Sequence, residues 1–220
     1  MTSIFLNLHL DRDIFDAVWT SISVAAWATA IGAALGIPIG MCVGILDFPF
    51  KRFVITMLNT LMAVPTVVVG LVVYGFITRQ GPLGAWGLLF TRGAIIIGES
   101  ILAVPIVATY TLSAVKGADS RVLATALTLG ASPTQSVIQL AREVRFGVMA
   151  GVIAGFGRVI SEVGVAMMLG GNIRGYTRTM TTAIALETSK GEFAFGLTLG
   201  IILVSVALAI NLLLNIIQQK

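Results

Sequence analysis

Three ionisable side chains stand inside otherwise apolar stretches: Glu99, Arg158 and Glu162. Such groups are expensive at bilayer depth, so each needs a partner or a task. Arg158 and Glu162 sit four residues apart, a spacing at which one helical face brings a guanidinium and a carboxylate together. Two readings stay open: a structural ion pair, or a bond that switches between conformational states. Other chemistry is limited by the residues available. The lone His9 and the lone Cys42 cannot build a metal site, a nucleophile–base relay or an intrachain disulfide. No GxxxxGK[ST] loop is present to cradle a nucleotide phosphate. No Ser/His or paired-Asp constellation lies in the apolar stretches, which argues against an intramembrane hydrolase.

The other distinctive stretch is a polar, basic interruption from Lys116 to Arg145. Val122, Leu123, Ala126 and Leu127 recur at helical spacing, and Gly130 follows as the glycine just past a helix end. Ser132-Pro133-Thr134-Gln135 then supplies an N-cap, an N1 proline and a capping-box glutamine. The pattern predicts two helices meeting at a sharp corner. The first is only about two to three turns long, far short of the ~20 residues a span requires. A short rigid helix projecting from a membrane domain is a docking element for a soluble partner. Thr125, Ala126, Leu129, Gly130, Ala131 and Ser132 are its candidate coupling residues.

The elements that must position these groups follow from composition. The 220 residues are 57% hydrophobic and 11% charged, with mean hydropathy +0.99, which excludes a soluble domain. Charge-free or nearly charge-free runs predict five transmembrane helices, at about 17–46, 53–78, 94–115, 146–170 and 193–217. The expectation is an all-α integral membrane protein, a single domain over 1–220. A cytoplasmic loop covers 116–145 and an extracytoplasmic segment 171–192. An odd number of spans puts the termini on opposite sides. Lys51, Arg52, Lys116, Arg121, Arg142, Arg145 and Lys220 fall on one side, against Arg12, Arg79, Arg92, Arg174, Arg178 and Lys190 on the other. That near tie leans toward a cytoplasmic 117–145 loop and C-terminus, with the N-terminus outside. The first sixteen residues carry Asp11, Asp13 and Asp16 and no basic n-region, so they read as a helical lead-in and not a removable signal. Pro38, Pro65 and Pro105 fall within spans, either as ordinary packing or as kinks around a path. Ala-Val-Pro occurs at 63–65 and 103–105, and no longer repeat is visible.

With these features in place, the chain resembles the permease subunit of a bacterial ABC importer. The family's loop runs Glu-Ala-Ala, three residues, then Gly; here it reads Ala124-Thr125-Ala126, Leu127-Thr128-Leu129, Gly130. The leading Glu is Ala124, and Arg142-Glu143 stands where the family often has Leu-Pro. Gly81-Pro82-Leu83-Gly84 with Gly87-Leu88-Leu89-Phe90-Thr91 is similar to an extracytoplasmic loop of such permeases. The stretch from Gly157 to Gly191, above all Gly170-Gly171-Asn172-Ile173, resembles the tungstate, molybdate and sulfate branch, and its wording is nearest that of tungstate permeases.

The resemblance implies the type I importer permease fold, a homodimer in a bacterial or archaeal cytoplasmic membrane, and alternating-access import of an oxyanion, most readily tungstate. It implies two ATPase subunits that carry ATP and Mg²⁺, and an extracytoplasmic oxyanion-binding protein. The chain itself would hold no cofactor or metal, catalyse nothing and bind no nucleic acid. A short helical segment near an outer gate is implied at Tyr176 to Glu187. Gly170, Gly171, Asn172, Arg174, Thr177, Arg178 and Thr179 are its gate candidates, with the Thr177, Thr179, Thr181 and Thr182 hydroxyls available to an oxyanion beside Arg174 and Arg178. A merely solvated loop is the competing reading of that segment. The alternative function is a permease for molybdate or sulfate, and after it a secondary carrier uncoupled from ATP, for which three intramembrane ions are few.

Overall fold

The computed structural model describes residues 2–119 and 121–218, with backbone alone for 2–11, 215, 217 and 218. His9, Asp11 and Lys220, weighed above for metal binding, the lead-in and the charge balance, have side chains outside the described set. Among the described residues all regular structure is helical, without strands. The order is α1 (Thr2–Ile45), α2 (Lys51–Met62), α3 (Thr66–Ile77), a 3₁₀ turn at Gly84–Trp86, α4 (Arg92–Gly117), α5 (Arg121–Thr128) and α6 (Pro133–Glu143). Then come α7 (Arg145–Ile160), α8 (Gly164–Gly170), α9 (Met180–Ser189) and α10 (Phe193–Gln218).

Three helices, α1, α4 and α10, are long and apolar enough to cross a membrane unbroken. α1 also absorbs the lead-in: its 44 residues measure about 66 Å at 1.5 Å per residue, twice the hydrocarbon thickness. The other two expected spans, 53–78 and 146–170, are not single helices. α2 and α3 meet at 98°, and α7 and α8 at 59°. Pro65 explains the first break: it lacks an N–H, disfavours helical geometry at Val64, and takes an extended ψ of 128° as the N-cap of α3. Pro38 and Pro105 remain inside continuous helices. At the second break Glu162 Oε1 accepts the Val165 N–H at 3.2 Å, so a side chain restarts the helix as α8.

α4 is the central post, gripped from two sides by glycine. Gly32, Gly36, Gly40 and Gly44 of α1 lie against Ala103, Val107, Thr111 and Val115 of α4, and an added β-carbon would come within 2.5–2.9 Å of these residues or their neighbours. Gly147, Gly151 and Gly155 of α7 meet Ala114, Tyr110 and Val107 of the same helix. Both series recur every fourth residue, which is one helical face. Helices in lipid gain little from hydrophobic association, so close approach over small residues supplies the packing. This period is a repeat of spacing and not of contiguous sequence.

One position gives a direct check. A β-carbon at Gly40 would stand 2.5 Å from the Ala108 carbonyl oxygen, which a side-chain rotation cannot relieve. Gly40→Ala should therefore cost about 1–3 kcal/mol, as overpacking does. Gly75→Ala, with nothing within 4 Å, should be neutral or slightly stabilising. Thermal midpoints of the two variants in detergent would separate them.

α10 packs Leu203, Val206, Ala207 and Ile210 against the cluster around Phe156 and Val159. Its other faces expose Leu197, Ile201, Val204 and Leu208. A helix so apolar on its outer faces is matched to lipid.

Candidate functional site

At the α5–α6 corner the local signals predicted from sequence are present. Gly130 has φ of +85°, and the Ala131 N–H bonds the Ala126 carbonyl at 3.0 Å, the six-to-one bond of a glycine-terminated helix. Ser132 Oγ accepts the Gln135 N–H at 3.3 Å while Gln135 Oε1 accepts the Ser132 N–H at 2.8 Å, with Pro133 at the first helical position. Val122 and Leu123 turn inward onto the cluster of Met41, Val115, Leu140 and Val144. Leu127 and Leu129 point out, Leu129 at 81% exposure. The apolar face expected over 122–127 is thus divided between anchoring and display. An open groove of about 880 Å³ runs between α5 and α6, lined among others by Arg121, Thr125, Ala126, Leu129, Gln135 and Arg142. At its rim Arg121 hydrogen-bonds Asp119 through side chain and backbone, and this holds the Asp119 carboxyl below the usual carboxylate range.

Within the spans, Arg158 Nη1 donates to Glu162 Oε2 at 2.7 Å. The pair is asymmetric: the arginine side chain is 39% exposed and the glutamate 3%. Glu162 is held by more than its charge, since Oε1 caps α8 and its carbonyl accepts the Thr181 hydroxyl at 2.7 Å. Glu99 is buried on α4, and its Oε2 has no hydrogen-bond partner among the described residues.

The 170–187 region differs from expectation. The helix implied at Tyr176 begins at Met180, because Thr179 and Thr182 form the capping box that starts it. Thr177, Thr179, Thr181 and Thr182 are buried rather than offered to solvent. Thr177 Oγ1 donates to the Gly170 carbonyl at 2.5 Å and accepts the Ile173 N–H at 3.0 Å. These hydroxyls are already used by the chain's own backbone and by one another, which corrects the reading of them as free oxyanion donors. Gly171 at φ +68° and Asn172 at +52° make the left-handed turn that folds the segment back. Asn172 Oδ1 accepts from Arg178 Nε at 3.2 Å, and its Nδ2 donates to the Thr182 carbonyl at 3.3 Å. Arg174 is exposed and pairs with Asp13 of α1. Arg178 lies 3.9 Å from Glu187; burial lowers its pKa, Glu187 works against that, and Arg174 adds to it. Arg174, Arg178 and Lys190 line a pocket of about 480 Å³ together with Asp13, Glu187 and Glu192. The cations foreseen here are thus brought together, but each faces an acid.

Sequence reasoning missed the two glycine ladders, and it missed Asn59, Thr66 and Ser161 beside the helix breaks. A scan for glycine at four-residue spacing would have found the ladders.

Comparison with known proteins fits this architecture. The Tungstate uptake system permease protein TupB of Peptoclostridium acidaminophilum is 39% identical over 215 residues, 98% of this chain and 94% of that one. TupB of Campylobacter jejuni is 36% identical over 209 residues, 95% of this chain and 87% of that one. Permeases named for sulfate and molybdenum transport in Escherichia coli match at 27% and 25%, over 80% and 91% of this chain and 63% and 93% of theirs. Among solved structures, the MetNI methionine ABC transporter in an inward-facing form superposes with a TM-score of 0.77 at 17% identity, covering 94% of each chain. Residues 36–220 match the family described as "Binding-protein-dependent transport system inner membrane component". The protein is therefore a member of the binding-protein-dependent transport system inner membrane components, with the fold of a type I ABC importer permease.

Proposed function

We propose that this chain is the membrane-spanning subunit of an ATP-driven importer that carries tungstate into the cytoplasm by alternating access. The observation that carries this reading is the near full-length identity to two permeases named for tungstate uptake, at 36% and 39%, against 25–27% for the sulfate and molybdenum permeases. Two copies form the pore. Two ATPase subunits, which bind the ATP and Mg²⁺, dock on the α5–α6 corners through Thr125, Ala126, Leu129, Gly130, Ala131 and Ser132. An external binding protein delivers the oxyanion to the 171–192 side and supplies the selectivity. The α5–α6 end and the C-terminus lie in the cytoplasm, with the N-terminus outside. Closure of the ATPase dimer draws the corners together and opens the outer side.

The test is reconstitution. The chain purified with its ATPase and binding protein should hydrolyse ATP faster when the binding protein is loaded with tungstate, and vesicles should accumulate tungstate only with ATP. The chain alone should hydrolyse none. Uptake driven by an ion gradient without the ATPase would establish a secondary carrier instead. Orientation is checked in a Cys42→Ser background: Arg174→Cys, at an exposed site, should react with impermeant thiol reagents from outside, and Thr179→Cys, at a buried one, should not. Labelling of Arg174→Cys only from the cytoplasmic side would invert the topology.

A further inference from the structure

The two breaks in the spanning helices abut each other and leave backbone uncovered. Between α2 and α3, Met62, Ala63 and Pro65 are exposed. Among the described residues no backbone hydrogen bond ends on the carbonyls of Met62, Ala63 or Val64. Between α7 and α8, Ser161 and Val163 are exposed, and the carbonyls of Ile160 and Ser161 likewise receive none. A β-carbon at Gly164 would lie 3.0 Å from Thr66 Oγ1 and 3.2 Å from Val67 Cγ2, so the restart of α8 sits directly against the restart of α3.

Both breaks are deep. From the α5–α6 end, α2 runs 12 residues and α7 runs 16 before breaking, about 18 and 24 Å along their axes. Non-helical backbone at such depth is tolerated only where protein covers it or where it lines a water-filled cavity. Lipid therefore does not account for this face. Polar side chains accompany it: Asn59 is exposed one turn before the first break, and Ser161 is exposed at the second. Arg158, one turn before Ser161, is 39% exposed although its carboxylate partner is buried. Only Nη1 of its guanidinium is engaged by Glu162, which leaves the other donors for a ligand on the open side.

We propose that the two abutting helix breaks line the translocation path, and that Arg158 is the residue in that path which contacts the oxyanion. This deepens the transport reading above and rests on it. A guanidinium can present two parallel N–H groups to a tetrahedral dianion, and broken helices at midplane are how membrane transporters expose polar groups to a substrate. Glu162 at 2.7 Å offsets the arginine's charge. The contact is consequently weak enough to release, which conduction requires.

The experiment uses the complete transporter with Cys42→Ser. Cysteine is introduced as Ala63→Cys or Ser161→Cys, with Leu208→Cys on the apolar face of α10 as the lipid-facing control. Small anionic and cationic thiosulfonate reagents of similar size are applied during turnover. Positions 63 and 161 should react at least ten-fold faster than position 208. Arg158→Gln should lower the ratio of anionic to cationic reactivity at position 161 by five-fold or more, and Arg158→Lys should retain most of it. The accessibility comparison does not depend on any Arg158 variant folding. Reaction at 63 and 161 as slow as at 208, in variants that still import tungstate, would overturn the path. An unchanged charge ratio in Arg158→Gln would overturn the role of the arginine. Loss of ATP-driven uptake in the Cys42→Ser parent would instead count against the transport reading itself.

Discussion

Arg158→Met should destabilise the chain by about 3–5 kcal/mol, Glu162→Gln by about 1–2 kcal/mol, and the two together by close to nothing. The order follows from the exposures. Removing the arginine strands a carboxylate that is 3% exposed, whereas removing the glutamate strands a guanidinium that is 39% exposed and can reach water. Glutamine at 162 can also keep an amide oxygen on the Val165 N–H, now accepted at 3.2 Å, so the start of α8 survives. Thermal midpoints and monodisperse yield in detergent would rank the three variants. Transport should divide them differently. The double variant recovers folding but not tungstate uptake, because the anion contact is gone. If both single variants fold normally and only transport stops, the pair works as a switch between states and not as a brace. If the double variant transports normally, Arg158 serves the fold alone.

Why this pair could be named from sequence while its surroundings could not is a matter of range. Arg158 and Glu162 are four residues apart, and the Gly130–Ser132–Pro133–Gln135 corner spans six residues. Capping, the left-handed glycine and the i, i+4 pair are decided by neighbours in the chain, and the structure shows these local features. The long helices α1, α4 and α10 fall on charge-poor runs for a related reason, since the absence of charge over some twenty residues is itself a local count. The breaks were not legible in this way. Pro38, Pro65 and Pro105 look alike in sequence, yet only Pro65 interrupts its helix. Beside it lies the restart at Gly164, about a hundred positions away, a contact that no local pattern announces.

The threonines of the 177–182 segment teach the same lesson. Composition makes them polar, and a polar loop reads as solvated. Their partners are distant or are the turn itself: the Thr181 hydroxyl reaches the Glu162 carbonyl at 2.7 Å, and the Met180 N–H reaches Ser21 Oγ at 2.8 Å. These bonds tie α9 to the α7–α8 break and to α1. The segment between the last two spans is therefore joined by hydrogen bonds, and not by a loose loop, to the same place where backbone is exposed at membrane depth.

Gly130→Val should abolish coupling while leaving the membrane domain folded. Nothing lies within 4 Å of the β-carbon position, so steric contact plays no part and the effect is carried by the backbone alone. At φ +85° a β-branched residue is strained by about 1–2 kcal/mol, and relief of that strain breaks the Ala131-to-Ala126 bond that fixes the angle between α5 and α6. The core is far from this change. α5 has no fully buried residue, and Val122 and Leu123 hold it to the bundle on the side away from Leu129. A stability loss confined to the corner therefore leaves α1, α4 and α7 packed as before. The displayed surface is what suffers, because Leu127 and Leu129 are aimed only by the corner's geometry. In the assembled transporter, stimulation of ATP hydrolysis by loaded binding protein and tungstate uptake should each fall ten-fold or more, with melting of the isolated chain changed little. Gly130→Asn, which tolerates the left-handed region, should restore a substantial part of both. Full activity in Gly130→Val would mean that α5 and α6 merely connect two spans, and that the ATPase grips the permease elsewhere.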